Sequence, residues 1–178
     1  LGTDERIPYL EEVLPIFEKS GTPLIVEIKT FGANFAELTA KTVACLDRFQ
    51  ARYCMESFDP RAVLWLRQNR PEIVRGQLSA DFMKDPNDLR LSHRILLTNL
   101  LTDFRTRPDF IAYEFGARTR LAVRLSCSLL GGQEVNWTLR SMADLAQAER
   151  EGHLGIFERF VPDKTETTLE KPLAAAAK

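Results

Sequence analysis

The chain has 178 residues, 44% of them hydrophobic and 28% charged, with 24 basic and 25 acidic side chains for a net charge of -1. A chain of this size and make-up buries a core without disulfides or metals. The charge balance excludes wrapping of nucleic acid by bulk attraction, and no apolar run reaches the roughly 18 residues of a membrane-spanning helix.

The first predicted element is a helix from Pro8, burying Leu10, Val13, Leu14 and Phe17. Pro15 sits inside that pattern and predicts a kink or an early stop, because proline lacks the amide proton a helix needs. Residues 24–29 (LIVEIK), between Pro23 and Gly32, read as a short buried strand. From Phe35, the positions Leu38, Val43, Leu46 and Phe49 form a looser helical stripe. Residues 52–58 are a weaker strand candidate. Asp59 then suits an N-cap and Pro60 a first helical position, with Pro71 ending the helix. A second weaker strand follows at 73–78.

Between Ser79 and Pro108 lies a strong apolar stripe: Leu91, Ile95, Leu96, Leu97, Leu100, Leu101 and Phe104. Arg90, Arg94, Arg105 and Arg107 accompany it. A core-facing helix with solvated arginines explains it, and Asp103 within the charge run favours that reading. A basic lip for an anionic substrate or a membrane surface is the functional alternative. Residues 110–115 (FIAYEF) predict a strand, and Leu121, Leu125 and Leu129 a helix ending at Gly131. A strand at 134–139 (EVNWTL) precedes a capping-box helix opened by Ser141 and Asp144, with Leu145 and Ala148 facing inward. A weaker strand at 155–160 closes the pattern, and residues 164–178, with alanine at 174–177, read as a frayed or engineered tail.

Six short strands alternating with helices predict an α/β fold with a parallel sheet. Their spacing suits a TIM (β/α)8 barrel, although a complete one takes about 250 residues. Six of its eight βα units are therefore expected over residues 1–163. An open doubly wound sheet is the alternative that needs no missing strands.

Few residues are candidates for chemistry. Glu27 and Lys29 are two apart on a strand and so share a face, at the strand end where sites form in parallel α/β proteins. They are either a structural ion pair or a carboxylate for a hard cation beside a lysine for an anion such as phosphate. Ser57 ends its strand and is a turn residue unless it faces a site; no GxSxG elbow surrounds it. Trp137 and Tyr113 either line a pocket or fill the core. His93 and His153, the only histidines, read as solvated and as an exposed partner of a helix end. Cys45, Cys54 and Cys127 form no CxxC pair and read as small apolar residues in a reducing, cytoplasmic setting.

The run Ile7-Pro8-x-Leu10-Glu11-Glu12-Val13-Leu14 followed by Ile25-Val26-Glu27-Ile28-Lys29 resembles the glycerophosphodiester phosphodiesterase family. Glu56-Ser57-Phe58-Asp59-Pro60, Arg75-Gly76-Gln77-Leu78, Arg107-Pro108-Asp109-Phe110-Ile111-Ala112-Tyr113 and Trp137-Thr138-Leu139 follow in the family's order. The resemblance covers about residues 7–163. It implies a (β/α)8 barrel that hydrolyses glycerophosphodiesters to an alcohol and glycerol 3-phosphate. Two histidines would act as acid and base beside Mg²⁺ or Ca²⁺ on three carboxylates. By that resemblance Glu27 is the third metal carboxylate, Lys29 the phosphate lysine, Trp137 a wall of the substrate cleft and Ser57 a weaker match at its strand end. The family's HRG, ExD and HD segments, which precede the IPxLEEVL helix, have no counterpart in the six residues before Ile7.

The chain is therefore read as a truncated phosphodiesterase barrel, an enzyme in its intact parent but inactive by itself. The alternative is a non-catalytic scaffold or phospholipid-headgroup binding domain. A small-molecule glycerophosphodiester is the expected partner, together with self-association through the open barrel edges.

Overall fold

A computed structural model describes residue 2 and residues 5–84 and 89–162. The tail expected over 164–178 lies outside the described residues. Helix α1 spans Leu10–Ser20, β1 Leu24–Glu27, α2 Phe35–Leu46, β2 Tyr53–Ser57 and α3 Pro60–Asn69. Then come β3 Arg75–Ser79, α4 Leu91–Thr98, α5 Asp103–Thr106, β4 Phe110–Glu114, α6 Leu121–Leu130, β5 Gln133–Leu139, α7 Met142–Arg150 and β6 Leu154–Phe157.

All six strands pair in parallel, in the order β1-β2-β3-β4-β5-β6. Sequential order decides between the two expected architectures. A doubly wound sheet reverses its strand order at a switch point, which places helices on both faces. Here every crossover advances by one strand in one direction, so right-handed connections keep the helices on one side. The sheet curls with its other face inward, as an incomplete TIM barrel.

Side chains alternate between the two faces. On the helix side, Leu24, Val26, Ile28, Tyr53 and Met55 pack with Leu14, Val43, Leu46 and Leu66 of α1–α3. Further along, Ile111 and Tyr113 pack with Leu100 and Val123. On the inner face, Cys54, Phe58, Leu78, Phe110, Ala112, Val135, Trp137 and Ile156 form a separate cluster. Gly76 lies under the Phe110 ring, where any Cβ would overlap it.

Local expectations are met at several helix ends. Asp59 accepts from the Arg61 amide at 2.9 Å with Pro60 first in α3. Ser141 accepts from the Asp144 amide at 3.1 Å, and Gly131 ends α6 in the left-handed region at φ 72°.

Two expectations are corrected. Pro15 does not end α1, which runs on to Ser20. One lost amide proton removes a single helical hydrogen bond, and the burial of Leu14 holds the helix on the core. The stripe from Leu91 to Phe104 is not one core-facing helix. It breaks at Leu100, whose backbone is left-handed at φ 55°, into α4 and α5. Leu100 itself is buried, while Leu91, Ile95, Leu101 and Phe104 are exposed.

Candidate functional site

Glu27 ends β1 on the inner face, and Lys29 follows two residues later. The Lys29 Nζ stands 3.4 Å from Glu27 Oε2. The Lys29 side chain is 74% exposed, which leaves its ammonium open to a second anion. Both lie at the C-terminal end of the sheet, where the loops of a parallel barrel converge.

The backbone holding them is braced from β2. The Ile28 amide donates to Glu56 O at 2.8 Å. Ser57 Oγ donates to Ile28 O at 2.7 Å and accepts from the Asp59 amide at 3.1 Å. Thr30 Oγ1 donates to Asp59 Oδ2 at 2.7 Å. Ser57 is buried on the helix side of β2, opposite the inner face. The structure thus places Ser57 behind the Glu27–Lys29 turn, with its hydroxyl committed to that turn's backbone.

A residue that the sequence analysis left unassigned stands closer to the centre. Glu56 pairs in register with Glu27 across β1 and β2 and shares its inner face. It is 6% exposed, and its Oε2 has no hydrogen-bond partner among the described residues. Burial, with the Glu27 charge adding to it, pushes its carboxyl up to about 7. A carboxylate buried in an apolar strand is costly without a partner. A second glutamate near the C-terminal end of the next expected strand is the one trace of it in the sequence, and the register between β1 and β2 is what brings the two together. Gly76 is the register partner of Glu56 on β3, and the Phe110 ring covers it.

Trp137 also faces inward. Its Nε1 donates to Ala112 O at 3.0 Å, and its ring meets Phe58 edge-on at 5.6 Å between centroids. Phe58 lies two residues beyond Glu56, so an aromatic wall continues the inner face above the carboxylates. Phe82 extends it, edge-on to Phe58 at 6.2 Å. The rim beyond is charged: Asp81 Oδ2 takes Arg120 Nη2 at 2.7 Å, and the Asp81 amide donates to Glu114 Oε2 at 3.3 Å.

The remaining candidates lie elsewhere. Tyr113 is fully buried on the helix side, its hydroxyl donating to Thr98 O at 2.9 Å. His93 is exposed on α4. His153 is not an exposed helix-end partner. It packs against β5, with Nδ1 3.0 Å from Asn136 Oδ1 and Nε2 3.4 Å from Glu134 Oε2. Burial pushes the Cys54 thiol up to about 11 and the Cys127 thiol to about 12, so neither is a nucleophile at neutral pH. Among the described residues, no three histidine, cysteine or carboxylate side chains converge as a metal site.

No family model and no curated protein matches the chain. Solved structures do. A phosphodiesterase from Oleispira antarctica in complex with its product sn-glycerol-3-phosphate superposes with a TM-score of 0.64 at 16% identity, over 84% of this chain and 56% of that one. A glycerophosphodiester phosphodiesterase from Parabacteroides distasonis gives 0.63 at 13% identity, over 84% and 59%. One from Thermotoga maritima gives 0.56 at 15%, over the same shares of the two chains. The chain spans a little over half the length of these proteins. At such identities the likeness establishes the fold, and the fold is the barrel that these phosphodiesterases share.

Proposed function

We propose that this barrel portion serves the hydrolysis of glycerophosphodiesters, and that its mouth supplies the part of the site that grips the phosphate. The observation that carries the reading is the pairing of Glu27 with the open ammonium of Lys29 at the C-terminal end of β1. Lys29 holds a phosphate oxygen by charge. Glu27 keeps the lysine turned to the mouth and offers oxygen to a cation. The inner aromatic wall, Trp137 with Phe58, packs the glycerol or the leaving group.

The donor set fits a hard divalent cation such as Mg²⁺ or Ca²⁺ in part. Glu27 and Glu56 offer carboxylate oxygens from neighbouring strands, and the unpartnered Oε2 of Glu56 is the atom such an ion would satisfy. Such an ion, when bound, would neutralise phosphate oxygens and lower the pKa of water. Two carboxylates fall short of the roughly six oxygens a tight site needs, so affinity is expected to be low.

A second reading, a headgroup-binding module without turnover, draws support from the histidines. His93 lies outside the barrel on α4 and His153 on the outer side of β5, so neither serves the mouth as acid or base. On this account the 178-residue chain binds product without hydrolysing diesters.

Titration with glycerol 3-phosphate in the presence of Mg²⁺ or Ca²⁺, followed by NMR, tests the site. Lys29→Ala is expected to weaken binding about tenfold or more, as the loss of one charge-assisted bond to phosphate would. Equal binding by Lys29→Ala and Glu27→Gln would sink the assignment. Metal-dependent release of alcohol by the purified chain would sink its inactivity.

A further inference from the structure

We propose that the outer face built by α4, α5 and α6 docks onto an anionic lipid bilayer. Leu121, Leu125 and Leu129 stand one turn apart along α6, and Leu121 is 69% and Leu129 64% exposed. The buried residues of that helix, Val123 and Ser126, point the other way. Leu91 and Ile95 repeat the pattern on α4, and Phe104 is 62% exposed on α5.

These helices are linked by contacts between them. Ser126 Oγ on α6 donates to Asp103 Oδ2 on α5 at 2.8 Å, and Leu100, between α4 and α5, shares a core cluster with Val123. The leucines of three helices therefore belong to one side of the molecule. Exposed apolar surface of this extent marks an interaction site on a folded domain.

The charge on this side selects the partner. From residue 90 to residue 130 the chain carries seven arginines; Arg118 is paired with Glu151 and Arg120 with Asp81, which leaves five unpaired among the described residues. Within α4, α5 and α6 the sole acid is Asp103, which is fully buried. Arg105 and Arg124 are exposed among the leucines, with Arg90 and Arg107 exposed at the helix ends. Apolar side chains ringed by arginine suit the headgroup boundary of an anionic bilayer. A second copy of the chain fits poorly, because a self-complementary contact would bring arginine against arginine.

The open edges of the sheet do not account for this surface either. The three helices follow β3 and β4, the two central strands.

Co-sedimentation with vesicles of phosphatidylcholine, with and without phosphatidylglycerol, tests the proposal. The wild-type chain is expected to sediment with the anionic vesicles, and less so in high salt. Leu125→Glu combined with Leu129→Glu is expected to weaken binding on the order of tenfold or more. Arg105→Ala combined with Arg124→Ala touches no packing and is expected to lose about fivefold per arginine. Circular dichroism checks that each variant folds. Failure of the wild type to bind, or equal binding by folded variants of both pairs, overturns the proposal. So does loss of a dimer in the leucine variant, by sedimentation velocity, without a change in vesicle binding; that result would make the face a contact between copies.

Discussion

Asp103 shows how one buried carboxyl can govern pH dependence away from any site. It is fully buried, Ser126 satisfies one oxygen, and the other has no partner among the described residues. Burial pushes it up to about 6, from an ordinary value of 3.8. The folded chain therefore keeps a proton between about pH 4 and 6 that the unfolded chain has released. Stability from this group is present below that window and is lost as pH rises through the folded value, by about 3 kcal/mol at most. Asp103→Asn removes the titration. Its urea midpoint is expected to exceed that of the wild type at pH 8, with the difference fading toward pH 4. At this scale the sequence was only partly legible. Glu27 and Lys29 were readable from strand alternation, whereas Glu56 and the brace by Ser57 emerge only from the register between β1 and β2.

Elements were more legible than side-chain roles. All six strands are short, and each lies within a few residues of its expected place. The break between α4 and α5 was hidden, because a left-handed leucine at position 100 is a product of packing and not of local preference. The exposure of the α6 leucines was hidden for a related reason: periodicity marks a stripe but does not say which way it faces. Strand contacts also explain a glycine. Gly76→Ala would drive a methyl group into the Phe110 ring on the inner face. It is expected to cost about 1–3 kcal/mol in chemical denaturation. Phe110→Leu in the same chain should recover part of that loss, as coupled neighbours do.

For the whole molecule, the decisive feature is that β1 and β6 each have one neighbour among the described residues. Ile25, Leu154 and Phe157 on these edge strands are partly exposed, in contrast with the buried β3. Unpaired strand edges of this kind template further pairing. Sedimentation velocity is expected to show concentration-dependent association, reduced by Ile25→Lys, which sets a charge on the β1 edge. Leu125→Glu should leave that association intact, since α6 packs on β4, two strands in from the β6 edge. Concentration-independent sedimentation of the wild type would mean the edges are covered by the chain itself.

The unbroken strand order also bears on how the chain leaves the ribosome. Each new strand pairs with the one made just before it, so no segment waits for a distant partner to be translated. The sheet can grow by one βα unit at a time, with loop closures of similar and modest length at each step. A stalled nascent chain would thus expose one growing edge, and that edge would advance with synthesis from β1 to β6.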